Sequence, residues 1–357
     1  MNQRPYTVIL IVPTGIGAAI GGYAGDAMPV ARAIASVADR LITHPNVLNG
    51  ASLYWSLPNA FYVEGYGLDK FAAGCWGLRS VHKNRIGLIL DMGIEPDLRV
   101  RQLQAADAAR ATLGLDLTDY VVTDAPLDVE LRTSASGASW GTIGNPDSLL
   151  RAAEVLIKKA RATAIAVVAR FPDDIESVAL QSYRYGQGVD PLAGAEAVIS
   201  HLIVRTFRIP CAHSPALSPL PLDHNISPRS AAEELGYTFL PSVLVGLSRA
   251  PQFVVETQYI PSDIWANQVD AVVVPATACG SSALLSLSQL GVQIITVREN
   301  QTQMQVPPEP LGIKAHLVNS YLEAIGVLVA HKAGINFSAL SPNISPLRCL
   351  STTDNSH

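Results

Sequence analysis

Two side chains of this sequence are of a type, and in a setting, that could carry covalent or proton-transfer chemistry. Cys279 lies in Val272-Val273-Val274-Pro275-Ala276-Thr277-Ala278-Cys279-Gly280-Ser281-Ser282, where aliphatics break at proline into small and hydroxyl residues. Such a run reads as a strand turning into a helix. A thiol at a helix start is expected to ionise easily and act as a nucleophile, with Thr277 and Ser281 holding a substrate oxyanion. The plain alternative is a small buried hydrophobe. His44 lies in the polar turn Thr43-His44-Pro45-Asn46-Val47-Leu48-Asn49-Gly50, just ahead of the aromatics Tyr54, Trp55, Phe61, Tyr62, Tyr66, Phe71 and Trp76. Imidazole titrates close to neutrality, so His44 reads as a general acid or base against an aromatic pocket wall. Its alternative is a hydrogen-bonded histidine beside an irregular hydrophobic cluster.

A second group of residues is suited to binding. Val8-Ile9-Leu10-Ile11-Val12 runs into Pro13-Thr14-Gly15-Ile16-Gly17, with Gly21 following. Backbone amides exposed by such a loop would bind a carboxylate or phosphate through Thr14, Gly15 and Gly17. The acidic residue that a dinucleotide fingerprint places about twenty residues on is missing, and the next strand ends only at Asp91, so the spacing does not support NAD. Residues 137–148 offer Ser139, Thr142 and Asn145 ahead of Pro146, read as a glycine-rich loop feeding amides into a helix start. No Gly-Lys-Ser/Thr is present, which removes a P-loop. Arg298, Asp91 and Asp124 follow further strands and would converge if those strands are parallel. Cys211, His213, Asp223 and His224 have zinc-ligand chemistry, but their spacing fits no template, and no metal site is expected. The other reading has this proline-rich loop crossing the mouth of the site, with His213 working without metal. No motif names a cofactor.

The elements that must position these residues alternate. Strands are predicted at residues 8–12, 86–90, 120–123, 164–168, 272–274 and 292–297. Helices are predicted at 27–40, at 98–113 with Asp97 as cap and Gly114 as stop, and after Asn145-Pro146, Asp190-Pro191 and Ser227-Pro228. This βα alternation predicts an α/β fold with a doubly wound, mostly parallel sheet or sheets, as two Rossmann-like halves around a cleft. Four prolines in residues 209–221 mark the crossing. The expected division is an N-terminal half at 1–208, a C-terminal half at 209–345 and a flexible tail at 346–357.

Composition narrows the partners. The 357 residues are 48% hydrophobic and 15% charged, with net charge −5 and no basic cluster, so nucleic acid is not expected to be a partner. Four widely spaced cysteines read as reduced thiols. The apolar N-terminal run breaks after Val12 at Pro-Thr-Gly, which suits a strand better than a signal peptide or membrane span. The expectation is a soluble, cytoplasmic protein with no membrane partner, self-association being left open.

The chain also resembles a domain-of-unknown-function family found in cyanobacteria and plastids. The resemblance rests on Thr43-His44-Pro45-Asn46-Val47-Leu48-Asn49-Gly50-Ala51, Gly141-Thr142-Ile143-Gly144-Asn145-Pro146, Val189-Asp190-Pro191-Leu192-Ala193-Gly194-Ala195-Glu196 and Glu234-Leu235-Gly236-Tyr237-Thr238-Phe239-Leu240-Pro241. It covers residues 8–334 and implies a soluble, single-unit protein without an assigned activity. The residues themselves lead to an expected enzyme of isomerase, lyase or hydrolase type, acting on a small anionic metabolite in the cleft. The competing expectation is a non-catalytic binder of a metabolite, or an assembly protein.

Overall fold

A computed structural model of the chain describes residues 4–50, 55–174, 177–235 and 239–347. The first stretch alternates tightly: β1 (Thr7–Leu10), α1 (Met28–Ala35), β2 (Arg40–Thr43), α2 (Pro45–Leu48), β3 (Ala60–Tyr62), α3 (Gly65–Ala72) and β4 (Gly77–Arg79). The middle holds β5 (Ile86–Leu90), α4 (Pro96–Leu113), β6 (Leu117–Val122), β7 (Val129–Thr133), β8 (Ser139–Ile143), α5 (Pro146–Ala160) and β9 (Ala164–Arg170). It continues with α6 (Val178–Arg184), α7 (Ala193–Phe207), β10 (Cys211–Ala216), α8 (Pro228–Glu234) and α9 (Leu240–Ser248). The last stretch comprises β11 (Gln252–Val254), β12 (Ala271–Pro275), α10 (Ser282–Ser288), β13 (Gln293–Val297), β14 (His316–Val318) and α11 (Tyr321–Lys332).

The fold is α/β with two parallel sheets. One has six strands in the order β14-β13-β12-β1-β2-β3, the other four in the order β10-β9-β5-β6. β4 and β11 form a short antiparallel pair, and β7 and β8 an antiparallel hairpin. Strands buried on both faces read as unbroken aliphatic runs, and the central strand shows why. Val8 and Leu10 pack into one hydrophobic core with Leu88, Leu90 and Val168, while Ile9 packs into a second with Ile89 and Val167. Each core therefore draws on both sheets.

The division expected at residue 208 does not follow the sheets. That position falls between α7 and β10, and β10 pairs with β9 along its whole length, Cys211 opposite Ile165 through Ala216 opposite Arg170. The six-stranded sheet instead combines both ends of the chain, with the four-stranded sheet inserted between them. Within the proline-rich stretch Cys211–Ala216 is a strand, tolerated with its Pro215 because an edge strand needs amide donors on one side only.

Local signals held where backbone chemistry dominates. α5 begins at Pro146, has Asp147 in its first turn and Lys158 and Lys159 in its last, and buries Leu149, Ala153 and Leu156. α4 stops at Gly114 in the left-handed conformation, as expected, but its N-cap is Glu95, not Asp97. The helix predicted at 27–40 ends at Ala35, because Arg40–Thr43 pairs with β1 as β2. Among the described residues no helix is long and apolar enough to cross a membrane. Tyr54, Cys349 and tail residues 348–357 lie outside the described residues.

Candidate functional site

The carboxyl ends of both sheets open onto one cavity of about 950 Å³. Thr14 reaches it from beyond β1, His44 from beyond β2, Glu64 from beyond β3 and Ser281 from beyond β12. Pro172 reaches it from beyond β9, and His213 projects from β10. This is where open parallel sheets place ligands. α7 runs along one side and contributes Glu196, Ser200 and His201.

Glu64 is the best-placed reactive group. It caps α3, accepting the Gly67 amide at 3.2 Å, and only 4% of it is exposed. Burial, reinforced by the nearby Asp69 carboxylate, pushes its carboxyl up to about 8, against hydrogen bonds from the Gly67 and Tyr66 amides and from Ser200. Its Oε1 lies 3.2 Å from Nε2 of His201. Burial, helped by His213, lowers the His201 pKa. The distance alone is compatible with an ion pair. Burial opposes the charged form of both partners, which favours the neutral arrangement over an ion pair. A second carboxyl–imidazole pair adjoins it: His213 Nε2 is 3.6 Å from Glu196 Oε2, and its Nδ1 is 3.3 Å from Ser200 Oγ. Ser200 thus touches both pairs.

The acidic lining continues past Glu196. Asp190 is pushed up to about 7, by burial first and then by the charge of Glu196. Glu233 is raised by burial and by Asp190, while it accepts the Tyr183 hydroxyl at 2.6 Å and the Ala24 amide at 2.5 Å. Tyr183 stacks on Tyr23 with ring centroids 4.4 Å apart. Among the described residues, no three His, Cys, Asp or Glu side chains gather in a geometry that would hold a metal ion.

The residues expected from sequence are dispersed. Thr14, His44 and Ser281 line the cavity, as does His213, the residue of the proline-rich loop. Burial lowers His44 to about 4, and its Nε2 accepts the Val12 amide at 3.0 Å, so the ring is neutral and its acceptor nitrogen is occupied by the backbone. Cys279 is fully buried, stands outside the cavity lining, and is raised to about 11 by burial and then by Glu309. The expected lowering fails because the helix behind it starts only at Ser282 and water is excluded from the sulfur. Ser281 spends its hydroxyl capping the Leu284 amide, and Thr277 pairs with Thr302 at 2.8 Å.

Gly15 and Gly17 are packed closely against neighbouring segments. Both have positive φ, and a Cβ on Gly15 would lie 2.7 Å from Ser139 Oγ, one on Gly17 2.9 Å from the Gly188 carbonyl. The Gly15 carbonyl accepts the Ser139 amide, so the first loop is docked on the hairpin, and Ser139 and Thr142 sit in strand β8, not in a loop. Ser139 Oγ accepts from Gly194, Thr142 donates to Glu130, and Asn145 donates to the Pro126 carbonyl and Asp128 instead of capping. Arg298 is exposed on Asn319. Asp91 ties down the Leu127 and Arg170 amides, and Asp124 is paired with Arg151, so these three do not converge.

A profile of proteins of unknown function, DUF3326, matches residues 7–341. The chain belongs to the DUF3326 family. A Synechococcus sp. relative bearing the name uncharacterized lipoprotein is 62% identical over 342 residues, covering 96% of this chain and 95% of that protein. No solved structure matches. The resemblance read from the sequence is thereby borne out over nearly the whole DUF3326 chain.

Sequence reasoning missed Glu64, Glu196, Ser200 and His201. A signal existed for the α7 residues, since Glu196 and Ser200 are four apart and share a helix face. None existed for Glu64, which becomes notable only because β3 ends beside α7.

Proposed function

We propose that this protein is an enzyme that transfers protons on a small molecule held in the cavity. Glu64 is the acid, and His201 and His213 are the proton acceptors. One observation carries the reading: the buried Glu64 carboxyl, pushed up to about 8, stands 3.2 Å from the His201 imidazole, whose pKa burial lowers. Groups poised in this way are suited to general acid–base catalysis, which contributes roughly 10²–10⁴-fold. Isomerase, lyase and hydrolase reactions all need such a pair. The anionic substrate first expected is replaced by one whose reacting end is uncharged or cationic. The space is lined by Glu64, Asp190, Glu196 and Glu233, which as neutral acids donate to an uncharged head and as carboxylates pair with a cationic one.

The test is proton exchange. The protein is incubated in D2O with a fractionated metabolite extract, and compounds gaining one deuterium are identified by mass spectrometry. Glu64→Gln is expected to slow that exchange by about 10² or more, with the ligand still bound. Exchange at the wild-type rate in Glu64→Gln would remove the assignment, and saturable binding without any exchange would favour the non-catalytic binder.

We further place the protein in the cytoplasm as a soluble molecule. In support, the apolar run near the N-terminus is the central strand β1, with Val8, Ile9 and Leu10 fully buried between β12 and β2. The lipoprotein name belongs to the Synechococcus relative.

A further inference from the structure

We propose that the cavity takes an amphiphile: a molecule with an uncharged or cationic polar head among Glu64, His201, His213 and Glu196, and an apolar body lying against residues 217–235. This rests on reading the cavity as the proton-transfer site and names the class of molecule that enters it.

Size is the first argument. A volume of about 950 Å³ is near the top of the range of roughly 300–1,000 Å³ for small-molecule sites, more than a compact polar metabolite fills. The second is the distribution of chemistry on the walls. The carboxyl–imidazole pairs are contributed by the start of α3, by α7 and by β10. Much of the remaining wall is apolar, built by Leu180, Leu192, Leu217, Leu220, Leu222 and Phe239. Leu220 and Leu222 pack into neither hydrophobic core. Leu222 is 97% exposed and Leu235 71% exposed, both at the cavity. Leucines held in water at the edge of an apolar space lower the free energy when a ligand's apolar body covers them.

The wall is held open by polar ties and does not collapse onto the core. The Ser218 amide donates to Asp173, Arg184 grips Glu234 and the Pro221 carbonyl, Arg229 pairs with Asp26, and Glu233 accepts the Ala24 amide. Charge selects the head. Arg184 is committed to these ties, and Arg101, the other arginine at the cavity, is on an exposed face of α4. A carboxylate or phosphate head placed among the carboxyl–imidazole pairs would stand beside Glu196.

The experiment is calorimetric binding of straight-chain alkan-1-ols, from butanol to decanol, to the intact chain at neutral pH. Affinity is expected to rise about fourfold per methylene, the factor that about 0.8 kcal/mol per buried CH2 implies. Alkanoates of matched length should bind more weakly than the alcohols, and alkylammonium ions at least as well. Leu220→Asp should flatten the chain-length dependence. Leu222→Asp, at a fully solvated position, should reduce it even if the first variant fails to fold. Affinity independent of chain length, or alkanoates binding more tightly than alcohols, would overturn the proposal. So would sedimentation with bare phosphatidylcholine vesicles without saturable alcohol binding, which indicates a membrane-contact surface instead of a filled cavity. The two readings separate through Glu64→Gln. A chain-length dependence with unchanged proton exchange in Glu64→Gln removes the acid–base reading and keeps the amphiphile. A flat dependence with exchange lost does the reverse.

Discussion

At the scale of single residues, the environment of Glu64 inverts its ordinary chemistry. A carboxyl normally near 4.5 titrates at about 8, because burial and Asp69 oppose its charge. The folded chain therefore binds this proton more tightly than the unfolded chain. The associated stability is fully present below about 4.5 and is lost as pH rises through about 8, by at most about 1.4 kcal/mol per pH unit. Asp190, raised to about 7, and Asp26, raised to about 6, act in the same direction over lower windows. Glu64→Gln keeps the shape without the titration. Its Tm should fall less steeply than that of the wild type between about pH 5 and pH 8 in calorimetric scans. Parallel curves for the two proteins would mean that Glu64 is an ordinary carboxylate. Cys279 makes the complementary point: residue type and local sequence named a nucleophile, and desolvation removed the thiolate.

At the scale of elements, glycines legible as a ligand loop serve as a joint. Gly15 holds φ at +71° and presses against Ser139, tying the loop after β1 to the β7–β8 hairpin. Gly15→Ala places a Cβ in a left-handed conformation that costs roughly 1–2 kcal/mol, and the contact with Ser139 adds to it. A loss of at least about 1 kcal/mol is expected in urea unfolding, with the slope unchanged. Wild-type stability in that variant would show that the loop is not docked. Strands β5, β9, β12 and β13 were visible as aliphatic runs, and α5 through its proline and charge pattern. β3, β7, β8 and β10 were not, since runs of three to six residues, interrupted by Gly in β8 and by Pro in β10, are too short to declare a strand without a partner edge.

At the scale of the whole molecule, chain order and spatial order differ. β1 joins β12 on one side and β2 on the other, so strands more than 250 residues apart along the chain share a sheet. A fragment ending at residue 208 lacks β10, β12, β13 and β14, leaving both sheets incomplete and both cores open. Such a fragment should show no cooperative thermal transition by circular dichroism, while residues 4–347 together should show one. A cooperative transition in the fragment would restore the division read from the proline-rich stretch. The sequence by itself determined the α/β class, the parallel strands, the family and the placement of a cavity at strand carboxyl ends, because these follow from unbroken aliphatic runs and from turn and cap chemistry within a few residues. Only the tertiary structure decided which side chains meet there. Glu64, Glu196, His201 and His213 come from three segments, and the proton affinities of Glu64 and His201 are set by burial and by charged neighbours, quantities that exist only once α3, α7 and β10 are packed.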